Sequence, residues 1–442
     1  MPKELVRIVR DAGIIGAGGA GFPSHIKSGS EAEIVIANGA ECEPLAQADQ
    51  QLIVKHADKI IAGLSLLMDS TGASKGIVAL KKKYKTSIES LSRATSGKEN
   101  IELFLLRDFY PAGDEFVLVH EVTGRVISEG NLPLSEGVVV QNVETLYNIC
   151  EAERGIPVTH RHISVLGEVR YPATFRVPIG TAFGDVIAMA GGAKVDGYAM
   201  IAGGPMMGRV TFDVSSTVNK TVGMLLVLPK DHPLIALKTR ALNRNIRLIK
   251  SACTQCSYCT ELCPRYLLGH NLQPHKIMRS LNYGNVVPPE VITSAAVCSG
   301  CGLCETYACV QGLSPRQVTM EIRAELAKKG YKHEPSRNKA KARQEMGHRK
   351  VPAERLLKRL GLEEYKEIAP LRETSYAVKQ VKIGLRQHIG APAVPVVKEG
   401  DIMRQGDLIA EIPYGQMGAR YHASVTGMVR RVDRDAIVID AA

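Results

Sequence analysis

The sequence contains no tryptophan, and aromatic residues make up only 5% of it. Proteins that hold single-stranded nucleic acids stack the bases on such side chains. The formal net charge of +11 is therefore weak evidence for a nucleic-acid partner, and we predict that the protein binds none. Part of the excess charge is local, in segments 81–85, 238–250 and 339–359, which indicates solvated basic helices or docking to an acidic partner.

A long apolar run is also missing. No stretch approaches the ~18 apolar residues that a membrane-spanning helix needs, so we predict no membrane span. The first five residues, MPKEL, lack the pattern of a secretory signal peptide. We therefore expect a cytoplasmic protein, in which the reducing environment disfavours disulfides.

Eight of the ten cysteines fall between residues 253 and 309, in two spaced groups. The groups are Cys253-x2-Cys256-x2-Cys259-x3-Cys263-Pro264 and Cys298-x2-Cys301-x2-Cys304-x4-Cys309. In the bacterial ferredoxin run with this spacing, three cysteines bind one [4Fe–4S] cluster and the fourth binds the other. The sequence therefore predicts two clusters. The predicted ligand sets are Cys253, Cys256, Cys259 and Cys309 for one, and Cys263, Cys298, Cys301 and Cys304 for the other.

Zinc is the main alternative for these thiols. Structural zinc sites use two separated cysteine pairs, whereas a triple at intervals of three residues suits the corners of a cube. Cys309 is the least regular ligand, because four residues precede it instead of three and no proline follows it. His270 and His275 are weaker candidates, since eight thiols already suffice. Cys42 and Cys150 stand alone and are interpreted at least as readily as small buried apolar residues.

A glycine-rich loop, Gly16-Ala-Gly-Gly-Ala-Gly21, follows a predicted helix at residues 4–12. Its spacing satisfies the dinucleotide-binding fingerprint, but that fingerprint must follow a strand and open a helix. A loop of this composition still exposes backbone N–H groups and lets a phosphate or a flat ring approach the main chain. Alone, it is a weak indication of a binding site.

Polar loops follow three predicted strands in the first 150 residues. Strands are predicted at 34–37, 76–80, 101–106 and 138–141, with helices at 84–94 and through Ala152. The polar loops are Asn38-Gly-Ala-Glu41-Cys-Glu43-Pro44, Tyr110-Pro-Ala-Gly113-Asp114-Glu115 and Asn142-Val-Glu144-Thr145. Open α/β sheets bind ligands at the carboxyl ends of their strands, so these loops predict a nucleotide pocket. The alternative, polar turns that only cap helices, applies to Asp114 and Thr145 individually.

The rest of the chain indicates further domains, because 442 residues exceed what one core usually organises. A hairpin and a helix at 183–190 favour a small β-grasp unit. Helices are predicted at 270–283 and 289–296 between the cysteine groups and at 316–329 after them, and a polar connector at 334–346. Paired Gly-Asp turns from Gly400 onward predict a β-sandwich like the biotinyl/lipoyl barrel-sandwich hybrid. Its hairpin, Pro413-Tyr-Gly-Gln-Met-Gly-Ala-Arg-Tyr421, has no lysine, which excludes a swinging-arm carrier.

With these motifs assembled, the chain resembles the family of the Rnf complex C subunit and the flavin subunit of respiratory complex I. The resemblance lies in the glycine loop and the three polar loops. It implies a multidomain α/β protein with an N-terminal Rossmann-like α/β domain that binds FMN and NADH, a β-grasp domain of the SLBB type, an α-helical ferredoxin-like domain with two [4Fe–4S] clusters, and a C-terminal barrel-sandwich hybrid. The expected domain bounds are 1–158, 159–228, 229–333 and 377–442, with a linker at 334–376.

The resemblance also implies roles for single residues. Those expected around FMN are Gly18, Gly19, Lys27, Asn38, Asn142 and Thr145. Those expected near the phosphate-ribose or nicotinamide are Glu41, Glu43, Asp114 and Glu115. Ala40 stands where the complex I pattern has an aspartate, which weakens the transfer of that one FMN contact.

Domain order distinguishes the chain from the Rnf branch of this family, because the barrel-sandwich module comes last here and first in the Rnf proteins. The arrangement is similar to the cobalamin reductases of propanediol-utilisation bacterial microcompartments. This implies electron transfer from NADH through FMN and two [4Fe–4S] clusters to cob(III)alamin or cob(II)alamin, with a cobalamin adenosyltransferase and shell proteins as partners. The sequence has no Asp-x-His-x-x-Gly corrinoid motif, so the corrinoid rests on resemblance alone. The alternatives are an NADH diaphorase that feeds a ferredoxin or another redox partner, and a non-enzymatic subunit without flavin.

Overall fold

A four-stranded parallel sheet organises the N-terminal part of the chain. The computed structural model describes residues 2–283, 287–373 and 376–442. The sheet has the order β3-β2-β1-β5. The elements of this part are α1 Pro2–Asp11, α2 Ser24–Ser28, β1 Ile34–Asn38, α3 Ala48–Thr71, β2 Lys75–Lys81, α4 Lys85–Ala94, β3 Ile101–Leu106, β4 Phe109–Tyr110, α5 Glu115–Thr123, β5 Val138–Asn142 and α6 Val143–Glu153. The predicted strands and the three predicted helices are confirmed to within a few residues.

The long helix α3, which the sequence pattern did not predict, covers one face of this sheet together with α6. Its apolar side chains, including Leu52, Ile60 and Leu64, are fully buried. Gly63 lies against the carbonyl of Leu146 on α6, where a Cβ atom would overlap that oxygen. The glycine therefore allows the two helices to cross closely. Helix α5 packs against the opposite face of the sheet.

The second unit is a six-stranded mixed sheet with one helix. Its order is β12-β7-β6-β10-β8-β9, with β6 and β7 forming the predicted hairpin and β10 lying parallel to β6. Its elements are β6 His160–Gly167, β7 Ala173–Pro178, α7 Phe183–Met189, β8 Tyr198–Ala202, β9 Arg209–Thr211 and β10 Met224–Pro229, and it gains β12 Leu371–Arg372 from later in the chain. The apolar face of the sheet buries α7, which confirms a β-grasp-like unit.

Short helices surround the cysteines in the third unit. They are α8 Pro233–Lys238, α9 Leu242–Ala252, α10 Tyr258–Glu261, α11 Pro264–Leu267, α12 Pro274–Tyr283, α13 Pro289–Thr293 and α14 Pro315–Lys328. Their common core includes Ile249, Ile277 and Val318, and the side chains of Cys253, Cys263, Cys298 and Cys309 border it. The cysteine loops are thus held by apolar packing as well as by whatever the thiols bind.

The segment that we predicted as a linker, 334–376, is partly structured. It contains β11 Val351–Pro352 and α15 Ala353–Leu360. Strand β11 pairs with β4, and Leu356 of α15 is fully buried in a core that it shares with Tyr110. Part of the polar connector is also fixed, since Ser336 N–H donates to Glu129 O at 2.8 Å. The segment therefore helps to join the first and third units.

The C-terminal unit is a sandwich of a four-stranded sheet, β13-β19-β18-β15, and a three-stranded sheet, β14-β16-β17. Its strands are β13 Gln380–Gly384, β14 Val394–Pro395, β15 Ile402–Met403, β16 Leu408–Glu411, β17 Tyr421–His422, β18 Gly427–Val432 and β19 Ala436–Ala441. The buried Lys220 ammonium ties it to the first unit by donating to Gly13 O at 2.7 Å and Arg420 O at 2.8 Å. Across the described ranges, no helix has both the length and the apolar character needed to cross a bilayer.

Candidate functional site

The carboxyl edge of the parallel sheet brings the predicted loops together. Asn38 and Asn142 end neighbouring strands and are paired in register. Asn38 Nδ2 donates to Gly113 O at 2.9 Å, which joins the first polar loop to the second. A Cβ atom at Gly18 would lie 3.4 Å from the Cβ of Asn142, so the glycine loop lies directly against the end of β5. Such an edge is where open α/β sheets hold ligands.

The glycine loop leaves an open space over this edge. Gly19 has a φ of +105°, and a Cβ atom there would meet no other atom within 4 Å. The neighbouring backbone is fixed, because Ala17 N–H donates to Thr145 Oγ1 at 2.9 Å. A fixed loop with room above its main chain fits a flat ring or a phosphate, which can approach a glycine backbone closely. The residues present therefore fit a flavin nucleotide at this edge.

Lys27 places a positive charge at the same edge. Its ammonium donates to Glu115 Oε1 and to Val140 O, both at 2.8 Å. It lies on α2, next to Phe22, whose ring centroid is 5.9 Å from the ammonium. Glu115 begins α5, so this ion pair connects the predicted FMN-binding lysine with one of the predicted nucleotide-binding carboxylates. An anionic ligand group would compete with Glu115 for the ammonium.

The carboxyl groups of Glu41 and Asp49 also lie near the edge, and both have raised pKa values. Burial, reinforced by the charge of Asp49, raises the pKa of Glu41 to about 8. Burial and the charge of Glu144 raise the pKa of Asp49 to about 6, and Asn142 Nδ2 donates to Asp49 Oδ2 at 2.7 Å. Asp49 was not among the predicted site residues, because it lies in the first turn of α3, which the sequence pattern did not reveal.

Two predicted nucleotide-binding carboxylates are bound to other units of the protein. Glu43 accepts hydrogen bonds from the N–H groups of Met206 and Met207, both at 2.8 Å. Burial raises the pKa of Glu43 to about 7 in spite of these bonds. Asp114 caps α5 by accepting from Phe116 N and Val117 N, and it also accepts from Arg265 at 2.6 and 3.0 Å. Both carboxylates therefore join the sheet edge to neighbouring units.

Glu144 is a further residue at this edge that the prediction did not assign to the site. Its carboxylate accepts from Arg161 and, at 3.0 Å, from His162 N, and Arg161 also donates to Ala17 O at 2.8 Å. Burial acts to raise the pKa of Glu144, but the charges of Arg161 and His162 lower it to about 2. This buried group anchors the glycine loop to strand β6. Its partners lie in another domain, so no local sequence signal identifies them.

The first predicted ligand set, Cys253, Cys256, Cys259 and Cys309, lines a single cavity of about 370 Å³, counted with its open mouth. We call these four residues the outer thiol set, because Cys256 is exposed. Burial and the charges of the other three thiols raise the pKa of Cys259 to about 12. The irregular Cys309 is therefore brought to the first group of cysteines. Its Sγ accepts from Leu313 N at 3.3 Å.

The second predicted set, Cys263, Cys298, Cys301 and Cys304, also converges. We call it the inner thiol set, because Cys263 and Cys301 are buried. Burial raises the pKa of Cys304 far above its usual value, and Glu305 and the other three thiols of the set raise it further. A thiol must lose its proton to bind iron, so bound iron would have to supply the charge that stabilises these buried thiolates.

Each set brings four thiols together, which is the number of ligands that a [4Fe–4S] cluster uses. The two histidines considered as ligands have other partners: His270 Nε2 lies 2.9 Å from Ile127 O, and His275 Nδ1 lies 2.7 Å from Thr260 Oγ1.

The inner set lies against the sheet edge. Tyr110 OH donates to Cys301 O at 2.6 Å, and Arg265, two residues after Cys263, is the residue that pairs with Asp114. Both contacts originate from the second polar loop. The outer set has no such contact with the loops of the sheet edge among the described hydrogen bonds.

A nucleotide-type sheet edge that contacts the inner of two four-thiol sets defines a flavin iron–sulfur oxidoreductase. Family comparisons agree with each part. Residues 9–151 match the Nuo51 FMN-binding domain, 163–210 the SLBB domain, 252–314 the 4Fe-4S dicluster domain and 362–441 the RnfC barrel sandwich hybrid domain. The chain thus has FMN and two [4Fe–4S] clusters as its cofactors, and the multidomain fold class predicted from the sequence is confirmed.

Full-length relatives identify the family. The chain is 42% identical to the cobalamin reductase PduS of Salmonella typhimurium, over 99% of this chain and 96% of that protein. It is also 42% identical to the protein of the same name from Citrobacter freundii, over 98% and 95%. The chain therefore belongs to the cobalamin reductase PduS family. The C component of the Na(+)-translocating ferredoxin:NAD(+) oxidoreductase complex from Acetobacterium woodii is 35% identical over 61% of this chain and 59% of that protein.

Solved structures agree with the fold. An NAD+-reducing [NiFe]-hydrogenase in the H2-reduced state superposes with a TM-score of 0.51 at 22% identity, covering 74% of this chain and 63% of the hydrogenase chain. At this identity the likeness concerns the fold alone.

Proposed function

We propose that this protein oxidises NADH and delivers the electrons, by way of FMN and two [4Fe–4S] clusters, to cob(III)alamin or cob(II)alamin. The observation that carries the proposal is the direct contact between the flavin-type sheet edge and the inner thiol set through Tyr110 and Arg265. This contact, together with the membership of a cobalamin reductase family, favours a single electron path within one chain. Such a path would support regeneration of the adenosylated coenzyme.

The residues at the sheet edge would position the cofactor and the donor. We assign FMN contacts to Gly18, Gly19, Lys27, Asn38, Asn142 and Thr145. Glu41, Glu43, Asp114 and Glu115 are assigned to the side where NADH enters, with Glu43 and Asp114 also joining the domains. Lys27 would bind an anionic group of the flavin nucleotide in place of Glu115, because the ammonium lies at the open edge.

The cofactors supply the redox chemistry: flavin accepts a hydride and releases single electrons, which clusters carry one at a time. The chain supplies position and shielding from water. The outer and inner thiol sets are the proposed ligands, with Cys309 and Cys263 each serving the cluster of the other sequence group. The domain bounds 1–158, 159–228, 229–333 and 377–442 remain predictions.

The test is an anaerobic assay of the purified protein with its flavin and iron content measured beside it. We expect bound FMN, about eight irons per chain as for two [4Fe–4S] clusters, and NADH-dependent reduction of hydroxocobalamin. Fast reduction of a ferredoxin without reduction of the corrinoid would instead favour the diaphorase. Absence of flavin from protein that holds its iron would favour a non-enzymatic role.

The proposed partners are a cobalamin adenosyltransferase and microcompartment shell proteins, and the proposed location is the interior of a bacterial microcompartment. The support is the membership of the cobalamin reductase PduS family. Copurification of the protein with isolated microcompartments tests the location. Its recovery only in the free soluble fraction would contradict it.

A further inference from the structure

The two thiol sets differ in what surrounds them. The inner set is enclosed between the sheet edge and the helices, and Tyr110 and Arg265 hold it to the second polar loop. The outer set opens to solvent, with an exposed Cys256 at its mouth. If the two sets hold clusters, electrons from the sheet edge would reach the inner set first and would leave the protein from the outer set.

The mouth of the outer cavity has an apolar and a basic part. Val310 lines it and is 60% exposed, and the side chain of Tyr258, next to the lining residue Ser257, is 46% exposed. Lys250 is exposed three residues before Cys253, and Lys276 is exposed beside His275, which lines the cavity. We call Lys250, Tyr258, Lys276 and Val310 the outlet face.

The sequence that carries most of this face is basic. Segment 238–283 contains eight Lys and Arg residues and a single acidic residue, Glu261. Lys238 and Arg265 contact other units, so the cations assigned to the face are the exposed Lys250 and Lys276. Glu261 is itself engaged, since Arg349 lies 2.9 Å from its carboxylate and Ser257 Oγ donates to it at 2.9 Å. Arg240 also reaches the cavity loop by donating to Gly312 O at 2.7 Å. A face with exposed cations around an apolar centre complements an acidic protein surface.

We propose that the outlet face is the docking surface for a one-electron acceptor protein whose contact surface is rich in carboxylates. The proposal goes beyond the proposed function, because it adds a protein acceptor beside the corrinoid, and it rests on that function for the path through FMN and the two clusters. Electrostatic steering between such surfaces raises the association rate and weakens with ionic strength. This would realise, for Lys250 of the basic segment 238–250, the docking to an acidic partner that the sequence left as one of two interpretations.

The test uses the cofactor-loaded full chain and an acidic plant-type [2Fe–2S] ferredoxin as the probe. The variants are Lys250→Glu and Lys276→Glu, combined, and the matched control is Lys366→Glu with Lys398→Glu, two exposed lysines outside the cysteine unit. Binding is measured by titration calorimetry at low and at physiological salt. We expect the outlet variant to bind the ferredoxin at least about tenfold more weakly at low salt, and the control to stay within about twofold.

Electron paramagnetic resonance of the NADH-reduced protein, without ferredoxin, separates this inference from the proposed function. We expect both variants to give the cluster signals of the native protein. Absence of binding by the native protein, or equal binding by native and outlet variant, overturns the docking surface. Charge-dependent binding in a protein whose clusters NADH does not reduce would uphold the surface and contradict the proposed function.

Discussion

Gly19 and Gly400 have similar φ values, but only Gly19 lies at the site assigned to FMN. Their φ values are +105° and +90°, and in both a Cβ atom would meet no other atom within 4 Å. A side chain in this region costs about 1–2 kcal/mol, so alanine should strain both positions to a similar extent. Only at Gly19 would the methyl group enter the space assigned to the flavin.

We therefore predict that Gly19→Ala lowers the affinity for FMN at least about tenfold while Gly400→Ala leaves it unchanged. Flavin content after purification and FMN titration of the flavin-free proteins measure this. The melting temperatures of the two variants provide the control for backbone strain. Equal flavin content in both would contradict the assignment of Gly19.

The proposed exchange of one cysteine ligand between the two sequence groups can be tested with substitutions of single residues. We predict that Cys256→Ala and Cys309→Ala each lose roughly half of the iron, and that the double variant loses no more than either, because both residues would serve one cluster. Cys150→Ala, a buried cysteine outside the two groups, should keep all of it. Iron assays measure the outcome. Nearly complete loss in the double variant would show that Cys309 serves the other cluster.

At this scale the sequence predicted the grouping of the cysteines better than it predicted the contacts at the sheet edge. Regular cysteine spacing identified both thiol sets that the fold brings together. Asp49 was not predicted, because its contact with Asn142 joins residues 93 positions apart. The contact of Glu144 with Arg161 was not predicted, because it joins helix α6 to the first strand of the next unit. Short polar motifs indicate where a strand ends, but a carboxylate's partners depend on domain packing.

Among the structural elements, helix α6 and strand β6 are joined by the buried group of Glu144, Arg161 and His162. We predict that Glu144→Gln destabilises the protein by about 3–5 kcal/mol, because it leaves Arg161 buried without its partner. The matched control is Glu102→Gln, whose half-exposed pair with Lys75 is worth at most about 1 kcal/mol. Thermal unfolding of the two variants and the native protein measures the difference.

The same ion pair gives a pH dependence. The pKa of Glu144 is about 2 in the folded protein and ordinarily 4.5. A carboxyl group whose pKa is lowered by folding stabilises the folded protein at pH values above its pKa in the unfolded protein. This stabilisation is lost as the pH falls from 4.5 towards 2. The Glu144→Gln variant should therefore show a shallower fall in melting temperature over this range. Parallel curves for variant and native protein would contradict the ion-pair account.

Secondary structure was predictable where periodicity is strong or where a short apolar run ends in a polar loop. The four parallel strands follow from apolar runs that end in polar loops. Helix α3 was missed although it is the longest helix among the described residues, because its buried residues occupy more than one face. The segment predicted as a linker contains the amphipathic helix α15, which packs beside Tyr110. It was missed because the residues on either side of it in the sequence are mostly polar.

Across the whole molecule, the contacts favour one direction of electron transfer, from the sheet edge towards the outer thiol set. The sheet edge contacts the inner thiol set, and the outer thiol set opens to solvent on a basic face. The sequence predicted the four kinds of domain, and the comparisons confirmed them. It did not predict which thiol set lies next to the flavin-type edge, because cysteine spacing describes each cluster and not its neighbours.

The most direct test of the account is anaerobic reduction of hydroxocobalamin by NADH, catalysed by the native protein and by Cys301→Ala. We predict that the native protein reduces the corrinoid. The variant should keep its flavin and its NADH-dependent reduction of ferricyanide but lose at least about tenfold in corrinoid reduction. If the native protein oxidises NADH and leaves the corrinoid unreduced, or if the variant reduces it at the native rate, the proposed electron path is wrong.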